Sequence, residues 1–164
     1  MSTDNNRLKM AQWILERNLA WINGAEVKVG VVVTINTAML AGLATAYSGA
    51  SAEARVAWVY VFIALAVAGL CSSLFCAAMA VLPRLDGPAQ SLLFFGRIAK
   101  MGQGDYIEAL AKASEDTLIA DLAAQIHRNA EIACTKFGWV RSAMVWSFLA
   151  ILPWAAAIFL LAKK

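Results

Sequence analysis

Residues Val56 to Leu82 read VAWVYVFIALAVAGLCSSLFCAAMAVL, 27 residues without a charge. About 20 apolar helical residues cross the hydrocarbon of a bilayer. This run is therefore long enough to span, to tilt and to project beyond the lipid, and Pro83 with Pro88 marks where it stops. Two further uncharged runs lie on either side, Val29 to Tyr47 with 19 residues and Ser142 to Ala162 with 21, the latter containing Pro153 as a possible kink. The expected fold is all-α: an integral membrane helical bundle of three transmembrane helices with cytoplasmic helical extensions. The expected segments are a cytoplasmic amphipathic helix over 1–28, spans over 29–47, 56–82 and 142–162, a periplasmic loop over 48–55, a cytoplasmic helical segment over 83–141 and a tail at 163–164.

Composition agrees with that reading. Of 164 residues 61% are hydrophobic and 15% charged, where a soluble domain carries about 25% charged residues. The mean hydropathy is +0.64. A chain this short has little interior in which to hide so much apolar surface, so lipid must act as part of its solvent. The small-x-small sequence Ala44-Thr45-Ala46 resembles a signal cleavage site, but 28 polar and mixed-charge residues precede its apolar run, far more than a signal n-region holds. The net charge of +3 comes from scattered residues, which argues against polymeric nucleic acid as a partner.

Orientation follows the basic residues. Arg7, Lys9, Arg17 and Lys28 precede the first span, and seven more, including Arg84, Arg97 and Arg141, lie between the second and third. The other side holds Arg55, Lys163 and Lys164. The excess places the N-terminus and the long polar segment in the cytoplasm of a multi-pass protein of the bacterial inner membrane. Tyr47, Trp58 and Tyr60 at one level and Trp139 at the other suit the interfacial preference of amphipathic rings.

Ser114 can cap a helix that opens with Glu115 and Asp116. From there Ile119, Ala123, Ile126, Ala130, Ala133, Phe137, Val140 and Met144 recur at gaps of four and three, a heptad-like seam that runs straight into the third span. Leu8, Ala11, Leu15, Ile22, Ala25 and Val29 make a comparable seam before the first span. Between the second and third spans, Gly87-Pro88 breaks the chain, a helix is expected from about Ser91 to Lys100, and Gly102 to Gly104 breaks it again. Asp105 and Glu108 then have capping-box spacing.

Candidate chemistry is sparse. There is no GxSxG, no HExxH and no phosphate-cradling glycine loop, and the one histidine, His127, has no adjacent nucleophile. No enzyme, metal site or cofactor is expected. Cys71, Cys76 and Cys134 lack CxxC spacing and show no disulfide framework, and the first two, inside a hydrophobic run, read as small apolar side chains. Inside the spans, Asn36 reads as interhelical glue. Ala38, Gly42 and Ala46, and Gly69, Ser73 and Ala77, form small-residue faces that allow close helix approach, within one chain or in a homo-oligomer.

Several stretches carry a resemblance in their order along the chain: Trp21-Ile22-Asn23-Gly24-Ala25-Glu26-Val27-Lys28, then Phe94-Phe95-Gly96-Arg97-Ile98-Ala99, Tyr106, and Gln125-Ile126, Asn129-Ala130, Ile132 and Lys136-Phe137. With two spans, polar helices and a third span, the chain resembles the transmembrane effectors of the Pycsar antiphage system. The resemblance implies an antiviral defence effector that senses a cyclic pyrimidine mononucleotide, cCMP or cUMP, made after phage infection. It then impairs the inner membrane and causes abortive infection. Under this resemblance the expected ligand contacts are Arg97 for the cyclic phosphate, Phe95 or Tyr106 for base stacking, and Gln125 and Asn129 for base edges. Two other readings use the same spans: a ligand-independent pore former of the holin or toxin type, and a structural membrane subunit.

Overall fold

The computed structural model describes residues 3–162. Met1, Ser2 and the expected tail at 163–164 lie outside the described residues. The elements in chain order are α1 (Thr3–Gly49), α2 (Ala57–Val81), α3 (Phe95–Ile98), α4 (Gln103–Lys112) and α5 (Glu115–Ala162), with no strand among the described residues. Helices α1, α2 and α5 are each long and apolar enough to cross a membrane. The chain divides into two compact units, Met1–Gly24 with Pro83–Thr135 and Ala25–Leu82 with Lys136–Lys164.

The second unit packs the C-terminal part of α1, all of α2 and the C-terminal part of α5. Its buried positions recur every seven residues on each helix: Ala25, Val32 and Met39, with Val29, Asn36 and Leu43 beside them on α1; Val59, Ala66, Ser73 and Ala80 on α2; Lys136, Ala143, Ala150 and Ala157 on α5. A strict seven-residue repeat keeps one seam of each helix turned inward as the helices wind about each other. Large apolar side chains face the other way, among them Leu152 at 79% exposed and Phe148 and Phe159 at 65%, a distribution that suits lipid rather than water.

Three features close this unit. Asn36, fully buried, donates from Nδ2 to Ser73 Oγ at 2.6 Å and accepts from Ser147 Oγ at 2.6 Å, while Ser73 Oγ donates to the Ala143 carbonyl at 2.7 Å. One amide thus hydrogen-bonds both neighbouring helices, as its reading as glue requires. Gly69 lies so close to α5 that a Cβ there would sit 2.9 Å from Ala150 Cβ. Trp154 Nε1 donates to the Met39 carbonyl at 2.8 Å, next to Pro153, which lacks the N–H that would have bonded the Leu149 carbonyl. The Gly69-Ser73-Ala77 face is therefore occupied within the chain. The face on α1 is only partly so, because Gly42 meets Trp154 while Ala38 is exposed.

Helix α2 ends where proline dictates. Leu82, at φ −48° and ψ 127°, has left the helical region, as the residue before a proline is pushed to do. In the loop between α1 and α2, Arg55 donates to the carbonyls of Tyr47 and Ala50 at 3.2 and 3.1 Å, and its guanidinium lies 4.8 Å from the centre of the Tyr47 ring.

In the first unit the N-terminal part of α1 packs with α5. Asn18, 4% exposed, donates from Nδ2 to the Ile126 carbonyl at 3.0 Å, so a polar residue occupies the seam between Ala11 and Ala25. The packed side of α5 here includes Leu122 and Ala133. Ala123, expected in the seam, is instead exposed beside an open groove that Met10, Ala11, Ile14, Ile119 and Ile126 also line.

Ser114 caps α5 as expected, its Oγ accepting from Thr117 N at 3.2 Å. The expected helix from Ser91 to Lys100 shortens to the single turn of α3. The reason is local: Ser91 Oγ accepts from the backbone N–H of Leu93 and Phe94 at 3.1 and 2.8 Å, and Asp121 Oδ2 accepts from those of Leu92 and Leu93 at 2.8 and 3.2 Å. With their donors taken by side chains, these residues do not extend the helix. The Asp105 capping box also differs. Gly102 is the N-cap of α4, without a side-chain cap, and Asp105 falls in the first turn, where its negative charge suits the helix N-terminus.

Candidate functional site

The candidate site lies within the first unit, around the chain that leaves α2 and returns through α3. Gly87 and Gly96 flank the ring of Phe94: a Cβ at Gly87 would lie 2.4 Å from its Cδ1, and one at Gly96 2.7 Å from its Cε1. Only glycine on both sides lets the ring lodge there. Phe94 in turn stacks at a tilt on Phe95, with ring centres 4.9 Å apart. Phe95 remains 64% exposed.

Beside this wedge is a cleft of about 380 Å3, lined by Leu85, Asp86, Gly87, Pro88, Ala89, Phe94, Gly96, Arg97 and Lys100. Arg97 and Lys100 stand three residues apart across the end of α3, and both line the cleft. The carboxylate at the rim is already engaged: Asp86 Oδ2 accepts from Arg128 Nη2 at 3.3 Å, and the Asp86 carbonyl accepts from Arg128 Nε at 3.1 Å. Among the described residues neither Arg97 nor Lys100 has a carboxylate partner. The cleft thus presents two available cations, a chemistry that favours a phosphate or another small anion.

Arg128 also donates from Nη1 to Glu131 Oε2 at 2.9 Å. That hydrogen bond, aided by the charges of His127 and Arg128 and opposed by desolvation, holds the Glu131 carboxyl below its ordinary range. The chain running into α3 is fixed from behind by Ser91, buried at 2% exposed, which also accepts from Gln125 Nε2 at 3.3 Å. Tyr106, on α4, donates its hydroxyl to the Leu92 carbonyl at 3.1 Å.

Of the five expected ligand contacts, Arg97 lines the cleft. Phe95, two residues before it, is not among the residues that line the cleft, and its ring is open to solvent. Tyr106 and Gln125 support the backbone of the Ser91–Leu92 turn, and Asn129, half-buried on α5, makes no hydrogen bond within the described residues. Sequence reasoning missed Lys100, the Gly87-Phe94-Gly96 wedge and the Ser91–Asp121 anchor. The signal for Lys100 was its spacing of three from Arg97, and for the wedge the two glycines around an aromatic pair. Among the described residues no three His, Cys, Asp or Glu side chains group as metal ligands.

The model of the PycTM Pycsar effector protein domain matches residues 10–163. The chain is also 28% identical, over 159 residues, to the Pycsar effector protein PtPycTM of Propioniciclava tarda, an alignment covering 92% of this chain and 78% of that protein. No solved structure matches. The apolar helices α1, α2 and α5, which put it in a membrane, and the family match across nearly its whole length agree: the chain belongs to the PycTM family of Pycsar effector protein domains and is an antiviral defence effector.

Proposed function

We propose that this effector takes a cyclic pyrimidine mononucleotide, cCMP or cUMP, into the cleft that carries Arg97 and Lys100, and that binding leads it to impair the bacterial inner membrane. The infected cell then dies or stops growing. The observation that carries the reading is the pair of cations without carboxylate partners in a cleft of about 380 Å3, suited to the single negative charge of a cyclic phosphodiester. Arg97 would hold the phosphate, as the resemblance led us to expect, and Lys100 joins it. The open face of Phe95 offers a surface for the base. Tyr106, Gln125 and Asn129 belong to the same unit: Tyr106 is the second residue to test for base stacking, and Gln125 and Asn129 are those to test as readers of the base edge.

The route from ligand to membrane runs through α1 and α5, each of which contributes residues to both units. A nucleotide can shift the arrangement of these helices only by binding one arrangement more tightly than another. Association of several copies in the bilayer would then open a path for ions. In this reading the N-terminus and the cleft face the cytoplasm, where the nucleotide is made, and the protein itself carries out no reaction.

The test is dye release from liposomes containing the full-length protein, titrated separately with cCMP, cUMP, cAMP and cGMP. Release is expected with a pyrimidine nucleotide and not with the purine ones, and R97A and K100A should each raise the half-effective concentration at least about tenfold, the loss of one charge-assisted contact. Release without any nucleotide would favour the ligand-independent pore former. Tight binding of the nucleotide without release would overturn the membrane-impairing step and leave the receptor.

A further inference from the structure

A second pair of cations lies in the other unit. Lys28, on α1, ends the polar stretch before the uncharged run that begins at Val29, and Arg141, on α5, does the same before the run that begins at Ser142. Both line one cavity of about 260 Å3, whose remaining wall includes Phe137, Met144, Val145 and Phe148. Lys28 Nζ sits 5.0 Å from the centre of the Phe137 ring. That contact holds the ammonium in place while leaving its N–H donors without a protein acceptor among the described residues. The nearest acidic residue in sequence, Glu26, is taken by Lys136 Nζ at 2.8 Å. Arg141 likewise has no carboxylate partner among the described residues.

The cavity therefore has two chemistries in a fixed order. Its cationic end stands where the charge-free stretches begin, the level of lipid phosphates. Its apolar end continues into Met144, Val145 and Phe148, exposed by 39%, 49% and 65%, on the side where acyl chains lie. We infer that this cavity binds an anionic glycerophospholipid, with its phosphate between Lys28 and Arg141 and an acyl chain along Met144, Val145 and Phe148. A soluble phosphate would use the cations and leave the apolar wall bare. A zwitterionic lipid would bring its own cation toward two others. Basic residues near a bilayer surface attract anionic lipid in proportion to their number, and the shape of this cavity turns that general attraction into a site.

The inference rests on the protein's being in a membrane and is independent of the nucleotide reading. Its test is native mass spectrometry of the full-length protein released from nanodiscs that contain equal parts of phosphatidylglycerol and phosphatidylcholine, alongside thermal unfolding in detergent supplemented with either lipid or with glycerol phosphate. The wild-type protein should retain phosphatidylglycerol about tenfold over phosphatidylcholine and gain thermal stability from phosphatidylglycerol alone. K28Q/R141Q should lose most of that preference, and F148A should weaken retention while keeping the preference for negative charge. As a control of equal charge, K9Q/R17Q removes two cations from the same helix away from the cavity and should retain the wild-type preference. The inference is overturned if the wild-type protein shows no preference, if K28Q/R141Q retains it, if K9Q/R17Q loses as much, or if glycerol phosphate stabilises as well as the lipid. Circular dichroism of each variant separates a lost site from a lost fold.

Discussion

Lys136 Nζ lies 2.8 Å from Glu26 Oε1, with the lysine side chain 6% exposed and the glutamate 48%. The ammonium is buried in a position of the seven-residue seam, where an apolar residue would otherwise sit, and the carboxylate is its charge partner. Removing one member of a buried pair leaves the other uncompensated, which costs about 3–5 kcal/mol when both are buried. E26Q leaves the buried ammonium without its partner and is expected to cost about 3 kcal/mol, whereas the Glu26 carboxylate left by a change at Lys136 is half open to solvent and can hydrate. K136M, which removes the charge and keeps the volume, should be nearly neutral or stabilising. Thermal unfolding of both variants in one detergent measures the contrast; equal losses would show that the pair acts only through packing.

Asn36 should be the most costly of the polar seam residues to replace. N36V deletes two hydrogen bonds and leaves Ser147 Oγ without its acceptor and Ser73 Oγ without its donor. Interhelical hydrogen bonds in membranes contribute about 0.6–1.7 kcal/mol each, so a loss of about 1–3 kcal/mol is expected. S147A should cost about half as much. Unfolding in graded denaturing detergent is the measurement.

Gly69 and Ala150 are coupled by contact. G69A places a methyl 2.9 Å from Ala150 Cβ and 3.4 Å from its Cα, so α2 and α5 must move apart, at about 1–3 kcal/mol. A150G should relieve the clash, and the double variant should be more stable than the sum of the single changes by about 1 kcal/mol. Additivity would place the two residues out of contact.

Gly87 should tolerate no side chain without moving Phe94. The ring atoms nearest to a new Cβ include Cγ as well as Cδ1 and Cε1, so the ring cannot rotate clear and the cleft wall must shift. G87A is expected to weaken cCMP or cUMP binding several-fold while leaving the helical content unchanged, as read by calorimetry and circular dichroism. Unchanged affinity would separate the wedge from the ligand site.

Acid should loosen the Arg128 contacts. The carboxyl of Glu131 titrates below its ordinary value of 4.5 because Arg128 donates to it. Stability from this contact is therefore fully present above about 4.5 and is lost as the pH falls through the lower, folded-state value. The Glu131 side chain is 51% exposed, so the effect is small. R128Q should return the Glu131 titration toward its ordinary value, measured by carbonyl NMR.

Legibility followed the range of each interaction. The three spans were plain because the signal is local: uncharged runs leave no other inexpensive environment for their apolar side chains. The Ser114 cap was equally local. The helix expected from Ser91 gives way because its competitor, Asp121, comes from a distant turn of α5, and no window around Ser91 contains it. Asn36 could be recognised as glue from its isolation in an apolar run, but its partners Ser73 and Ser147 are chosen by how the helices pack. Arg97 enters as a candidate through the resemblance. Lys100, three residues on, has that spacing as its only sequence signal, and it becomes a candidate because the fold brings it to the same cleft.

The seven-residue recurrence of buried positions in the second unit has a consequence for how the protein can vary in length. One residue inserted into α5 between Ala143 and Ser147 would turn everything beyond it by about 100°. That rotation would carry Ala150, Ala157 and Leu161 out of the interior and bring bulky lipid-facing side chains against Gly69. Seven inserted residues would restore the facing and only lengthen the helix, by about 10 Å. A change in the length of this bundle that keeps its packing thus comes in whole repeats, made in all three helices together.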